Sequence, residues 1–155
     1  MASLHDRVET LKAKQSAAGI LKSGNTLVEL VNIFSRMLES LRDVIIAQYQ
    51  WAISESLLST QGFADELVSA SQEQVEMLRS PCNDRLAREG SNIWAPPNAV
   101  AECSKKLGAK GEEVCEDIAL ALRSKFAELK RHRIRSIWHA ATGWIPKLTG
   151  GPPKV

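Results

Sequence analysis

The feature that most constrains this chain is a run of residues spaced in unbroken alternation of four and three: Leu27, Val31, Phe34, Leu38, Leu41, Ile45, Gln48 and Ala52. Seven of these eight are apolar, so a heptad seam persists for more than three heptads. Such spacing lines residues up on one side of a helix, whereas a half-buried strand requires strict alternation. A second row, Leu30, Met37, Val44, Trp51 and Leu58, repeats every seven residues and widens the stripe. A bare seam serves a two-stranded coiled coil. A widened stripe serves a helix packed against two neighbours, as in a bundle. A helix over 26–59 would be on the order of 50 Å long. A preceding partner of about 22 residues covers roughly 33 Å of it. The uncovered remainder, with Trp51 and Leu58, calls for a folded-back segment or a second subunit. Gln48 is the kind of seam residue that sets register or subunit number.

The flanking sequence punctuates the rest into helices. Leu4, Val8, Leu11, Ala18 and Leu21 share one side of a helix, and Gly24 supplies a left-handed stop before Asn25 or Thr26. Thr26-x-x-Glu29 reads as a capping box for the long helix, and Gln61-Gly62 as a break or kink after it. A third helix over 63–79 ends at Ser80-Pro81, since the residue before proline is pushed out of the helical region. An irregular stretch follows over 82–98, with Trp94 pinned on the bundle surface. Pro97 opens a short helix to about Gly108, and Gly108 and Gly111 bracket a turn. Glu112, Glu113, Glu116 and Asp117 then load the first turns of a long last helix, as the dipole prefers, and Lys125, Lys130, Arg131 and Arg133 load its later turns. No segment reads as a strand. The fold class expected is all-α: a helical bundle built on an N-terminal antiparallel hairpin, with a long second helix and a long C-terminal helix.

With 155 residues there is room for one domain, read as 1–148, followed by a Gly- and Pro-rich tail over 149–155 that does not order itself. Hydrophobic residues at 44% and charged residues at 25% exclude disordered and fibrous classes. Cys82, Cys103 and Cys115 form no C-x-x-C pair, which argues against a zinc knuckle or a redox pair and for a reducing compartment. The N-terminus lacks the apolar core of a secretory signal, and no apolar run reaches membrane-spanning length. A cytoplasmic location is the expectation.

Signatures of catalysis are missing: there is no phosphate loop, no G-x-S-x-G and no H-E-x-x-H. His132 and His139 stand two helical turns apart with no third ligand dictated by spacing, and the acidic group has no Glu-x-x-His partner. Cys115 beside four acidic residues reads as a small buried residue rather than an activated thiol. No enzyme activity, metal, cofactor or small-molecule substrate is expected.

Charge separates along the chain although the formal total is only +2. The first 60 residues are balanced, residues 61–100 carry three positive against six negative, and residues 101–155 carry eleven against six. Between positions 123 and 147 seven cations face Glu128 alone, with Trp138 and Trp144 alongside. Cations with aromatics can neutralise phosphates while an indole stacks on a base. A plain solvated helix face accounts for the same charges, an acidic protein suits the mixture as well, and an anionic membrane surface is the least favoured partner. The reading favoured is a non-catalytic protein acting through protein–protein contacts and self-associating as a homo-oligomer. Its interface would use Leu30, Met37, Val44, Gln48, Trp51 and Leu58. The alternative is nucleic-acid association through Lys130, Arg131, Arg133, Arg135 and Trp138. The acidic middle and the basic end are also expected to face each other, within the bundle or within an oligomer.

Overall fold

The computed structural model describes residues 4–17, 24–55 and 61–148, with side chains up to residue 132 except at positions 4, 5, 7, 15, 17, 24 and 61. Four helices account for them: α1 (Leu4–Ala17), α2 (Gly24–Glu55), α3 (Gln61–Asn92) and α4 (Pro97–Leu148). No strand occurs among the described residues. The chain is all-α.

Helices α2, α3 and α4 each pack against the other two, and α1 lies against α2. Cross-helix pairs give the directions. Glu39 meets Lys110 and Arg42 meets Asp117, so α2 and α4 run parallel. Tyr49 meets Gln74 and Arg123 meets Asp65, so α3 runs antiparallel to both. The core lies between them: Leu27, Leu30, Phe34, Leu38, Ile45 and Ile53 from α2, Val75, Cys82 and Leu86 from α3, and Leu107, Val114, Ile118 and Leu122 from α4.

The seam holds for the first half of α2 and then drifts. Ile45 and Ile53 are fully buried, while Gln48 is exposed. An α-helix falls about 20° behind a 3.5-residue repeat with every heptad, so a strict seam rotates out of the core unless the helices supercoil to follow it. Gln48 therefore faces solvent and sets no register inside the bundle.

Two expected breaks are absent. Helix α3 runs through Pro81 to Asn92, and the stretch 82–92 is helical rather than irregular. A proline inside a helix costs about 3 kcal/mol. Val75 and Ser71 before it and Cys82 and Leu86 after it are buried on one face, and that packing holds the helix across the exposed Pro81. Helix α4 likewise runs through Gly108 and Gly111, which make no turn. Gly111 makes room for Arg79 of α3: a β-carbon there would stand 2.9 Å from Arg79 Cδ. Gly90 serves a similar purpose, since a β-carbon there would stand 2.5 Å from Val100 Cγ2.

Gly24 opens α2 rather than closing α1, and Thr26 is buried within the first turns of α2. Positions 18–23, 56–60 and 149–155, including Leu21, Leu58 and the expected tail, lie outside the described residues. The turn between α3 and α4 is a Schellman motif. Ala95 N–H donates to Gly90 O at 2.9 Å and Trp94 N–H to Ser91 O at 3.2 Å. Trp94 has φ of 58°, the left-handed conformation usually given to glycine at this position.

Candidate functional site

Helix α1 is the least embedded element. Val8 is buried and Leu11 half-buried, while the rest of its described side chains are polar or exposed. A 14-residue helix is marginal alone, so its place depends on what it touches. It is tied to α3 by charge. Lys12 Nζ lies 2.7 Å from Glu89 Oε1, and Arg85 Nη2 lies 3.1 Å from Glu9 Oε1. Arg85 Nε also lies 3.0 Å from Glu89 Oε1. Glu89 is buried, which by itself pushes its carboxyl pKa up. Hydrogen bonds from Lys12 and Asn92 and the charges of Lys12 and Arg85 outweigh that, and the pKa lies below its ordinary value. No sequence motif announces this clamp, because its members come from separate helices.

These pairs set α1 level with the N-terminal half of α2. Beyond it, the outer flank of α2 is bare. Val44 and Gln48 are exposed, and Trp51 is 67% exposed. Met37 is half-buried against the core, and Leu30 is fully buried, so Leu30 serves internal packing. Of the six residues expected at an interface, Val44, Gln48 and Trp51 form one surface strip; Leu58 lies outside the described residues.

The basic end begins where the bundle stops. Helix α4 has 52 residues against 32 in α2 and in α3, so it is about 30 Å longer than either. The cross-helix register brings the end of α2 and the start of α3 level with residues 127–130. Lys130, Arg131 and His132 are exposed there, and Lys130 and Arg131 make no ion pair with described residues. The backbone stays helical through Arg133, Arg135 and Trp138, whose side chains lie outside the described residues.

The acidic group has a different setting from the one expected. Because α4 starts at Pro97, positions 112–117 lie mid-helix, and the helix dipole does not account for them. Asp117 is taken by Arg42 at 2.9 Å and Glu113 by Lys110 at 2.8 Å. Lys110 also holds Glu39 at 2.8 Å, and that hydrogen bond and charge lower the Glu39 pKa. Glu112 and Glu116 are exposed and pair with no described residue.

Three recesses stand out among the described residues. One of about 310 Å³ lies at the α3–α4 turn, between Leu27, Val28, Ile93, Ala99 and Cys103 and beside Trp94, which is 85% exposed. A second, about 450 Å³, follows the α3–α4 groove along Gln72, Glu76, Arg79, Glu112 and Cys115. The third, about 470 Å³, lies along Ser124, Ala127, Glu128, Arg131 and His132. Among the described residues that line them, no hydrogen bond joins a nucleophile to a base. The three cysteines are free, and burial pushes the Cys82 thiol up to about 11. Burial raises Cys103 and Cys115 as well; near Cys115, Arg79 opposes the shift while Glu76 and Glu112 add to it. No group of metal-ligating side chains occurs among the described residues, and no helix among them is long and apolar enough to cross a membrane. Comparison with protein-family models, curated proteins and solved structures finds no match for this chain.

Proposed function

We propose that this chain is a non-catalytic helical protein that acts through protein–protein contacts and self-associates. The N-terminal hairpin of α1 and α2 is the frame, and the bundle presents a rigid outer surface. One observation carries the reading: Trp51 and Val44 stand exposed on the flank of α2 that α1 leaves uncovered. An exposed indole next to an aliphatic residue is a typical anchor of an interface. A reducing, cytoplasmic setting fits three free thiols. The test uses the tagged chain as bait in lysate, with and without nuclease, beside a Trp51→Glu variant. Capture of protein that survives nuclease and is lost in Trp51→Glu is expected. Capture indifferent to Trp51, or abolished by nuclease, contradicts the reading.

A second reading, nucleic-acid association, is favoured by the exposure of Lys130, Arg131 and His132 on the part of α4 that continues past the bundle. Phosphate contacts release counterions, so affinity in a mobility-shift assay would fall steeply with salt. Changing Arg131, Arg133 and Arg135 together to Ala would weaken it further. No shift at low salt removes this reading.

A further inference from the structure

The solvent side of α4 carries a stripe in which charge and shape are arranged in order. Glu112, Glu116, Leu120, Arg123, Ala127 and Arg131 are all exposed and stand at steps of four, four, three, four and four. At 100° per residue they occupy a sector about 100° wide, opposite the core positions Val114, Ile118 and Leu122. The stripe is acidic at one end and basic at the other. Leu120 near its middle is 72% exposed.

These charges cannot satisfy each other within one molecule. Glu112 and Arg131 are separated by about 28 Å along one helix. That is nearly three screening lengths of about 10 Å at moderate salt. Glu112, Glu116, Lys130 and Arg131 pair with no other described side chain, and Arg123 reaches only Asp65, at 3.9 Å.

We infer that this stripe is the self-association face, and that its occupant is the same stripe of a second copy packed antiparallel. This rests on the proposed self-association and names its surface. A two-fold axis between positions 121 and 122 sets Glu112 against the second copy's Arg131, Glu116 against Ala127 and Leu120 against Arg123. Lys130 falls within one turn of the opposing Glu116. Glu112 meets its opposite directly and Glu116 meets Lys130 within one turn, each twice, as an isologous interface requires. The two Leu120 side chains meet beside the axis and supply the apolar contact. A parallel arrangement would set like charges together, so the pattern also selects the direction.

The test is sedimentation equilibrium of the full chain at low and at moderate salt. Wild type is expected to dimerise and to weaken as salt rises. Arg131→Glu with Lys130→Glu changes two exposed, unpaired residues and leaves the fold intact, which circular dichroism checks. It should raise the dimer Kd by about tenfold or more, since like charges are then juxtaposed. Glu112→Lys with Glu116→Lys should do the same, and combining both sets should restore association. If wild type dimerises but neither set changes its Kd, while Trp51→Glu abolishes it, this face is wrong and the broader reading stands. If wild type stays monomeric, both fail.

Discussion

The two halves of α2 carry the same kind of sequence and meet different surroundings. In the first half Leu27, Leu30, Phe34 and Leu38 are fully buried, with α1 laid along the outside. In the second half Ile45 and Ile53 still reach the core, but Val44 and Trp51 stand exposed where a covering helix would lie. The difference is one of length: α1 has 14 residues and α2 has 32. An apolar stripe that outruns its cover leaves a surface with two alternatives, to stay wet or to meet another molecule. The covered half shows how such a surface is met: a short polar helix inserts Val8 and fixes its position through a buried carboxylate.

The largest contrast should come from truncating one aromatic in each half. Phe34→Ala removes a fully buried ring and should cost about 3–5 kcal/mol in denaturant unfolding. Trp51→Ala should change monomer stability by no more than about 0.5 kcal/mol, because the indole is mostly in water. Similar losses at both sites would erase the comparison.

The cover itself can be loosened. Glu89→Gln leaves Lys12 and Arg85 with only the more exposed Glu9 as shared counter-charge and should cost about 2 kcal/mol. The same clamp responds to acid. The folded pKa of Glu89 lies below its ordinary 4.5, so the unfolded chain takes up the proton more readily. The stability it contributes is fully present above about 4.5 and is lost as pH falls through the lowered value. The protection factors of the α1 amides, corrected for the intrinsic exchange rate, should therefore fall below about pH 4.5 for wild type, and should already be reduced at neutral pH for Glu89→Gln. Uniform protection of α1 in both would show that the clamp does not hold it.

The smallest expected change concerns α4, the helix against which both halves of α2 rest. A β-carbon at Gly108 meets Arg79 Nη1 at 3.8 Å, an ordinary contact. Gly108→Ala should therefore raise stability by about 0.5–1 kcal/mol, as expected inside a helix. A loss would place a left-handed turn there, with a break in α4.

Much of this architecture is legible in residue spacing, because periodicity reports burial directly. The seam identifies α2, and the residues it nominates, from Leu27 to Ile45, form the core. What spacing does not report is tertiary context. Pro81, Gly108 and Gly111 are local helix breakers, and each sits inside a helix because the neighbouring turns are packed. A turn at Gly108 and Gly111 would put the acidic group at a helix start, where the dipole would explain it. With α4 beginning at Pro97 that explanation lapses, and Glu112 and Glu116 become exposed charges on an outer face. Trp51 was legible as the end of an uncovered stripe. The Glu89 clamp and the left-handed Trp94 were not, since one is assembled across helices and the other occupies a place composition assigns to glycine.

The faces this bundle leaves exposed are proposed as contact surfaces, and a second copy of the chain as one of the molecules they meet. Light scattering of the purified full chain across a wide concentration range tests this proposal most directly. The mass is expected to climb from monomer towards dimer as concentration rises, and less steeply as salt is added. A monomer mass that stays constant to the highest concentration, at low salt, would contradict it.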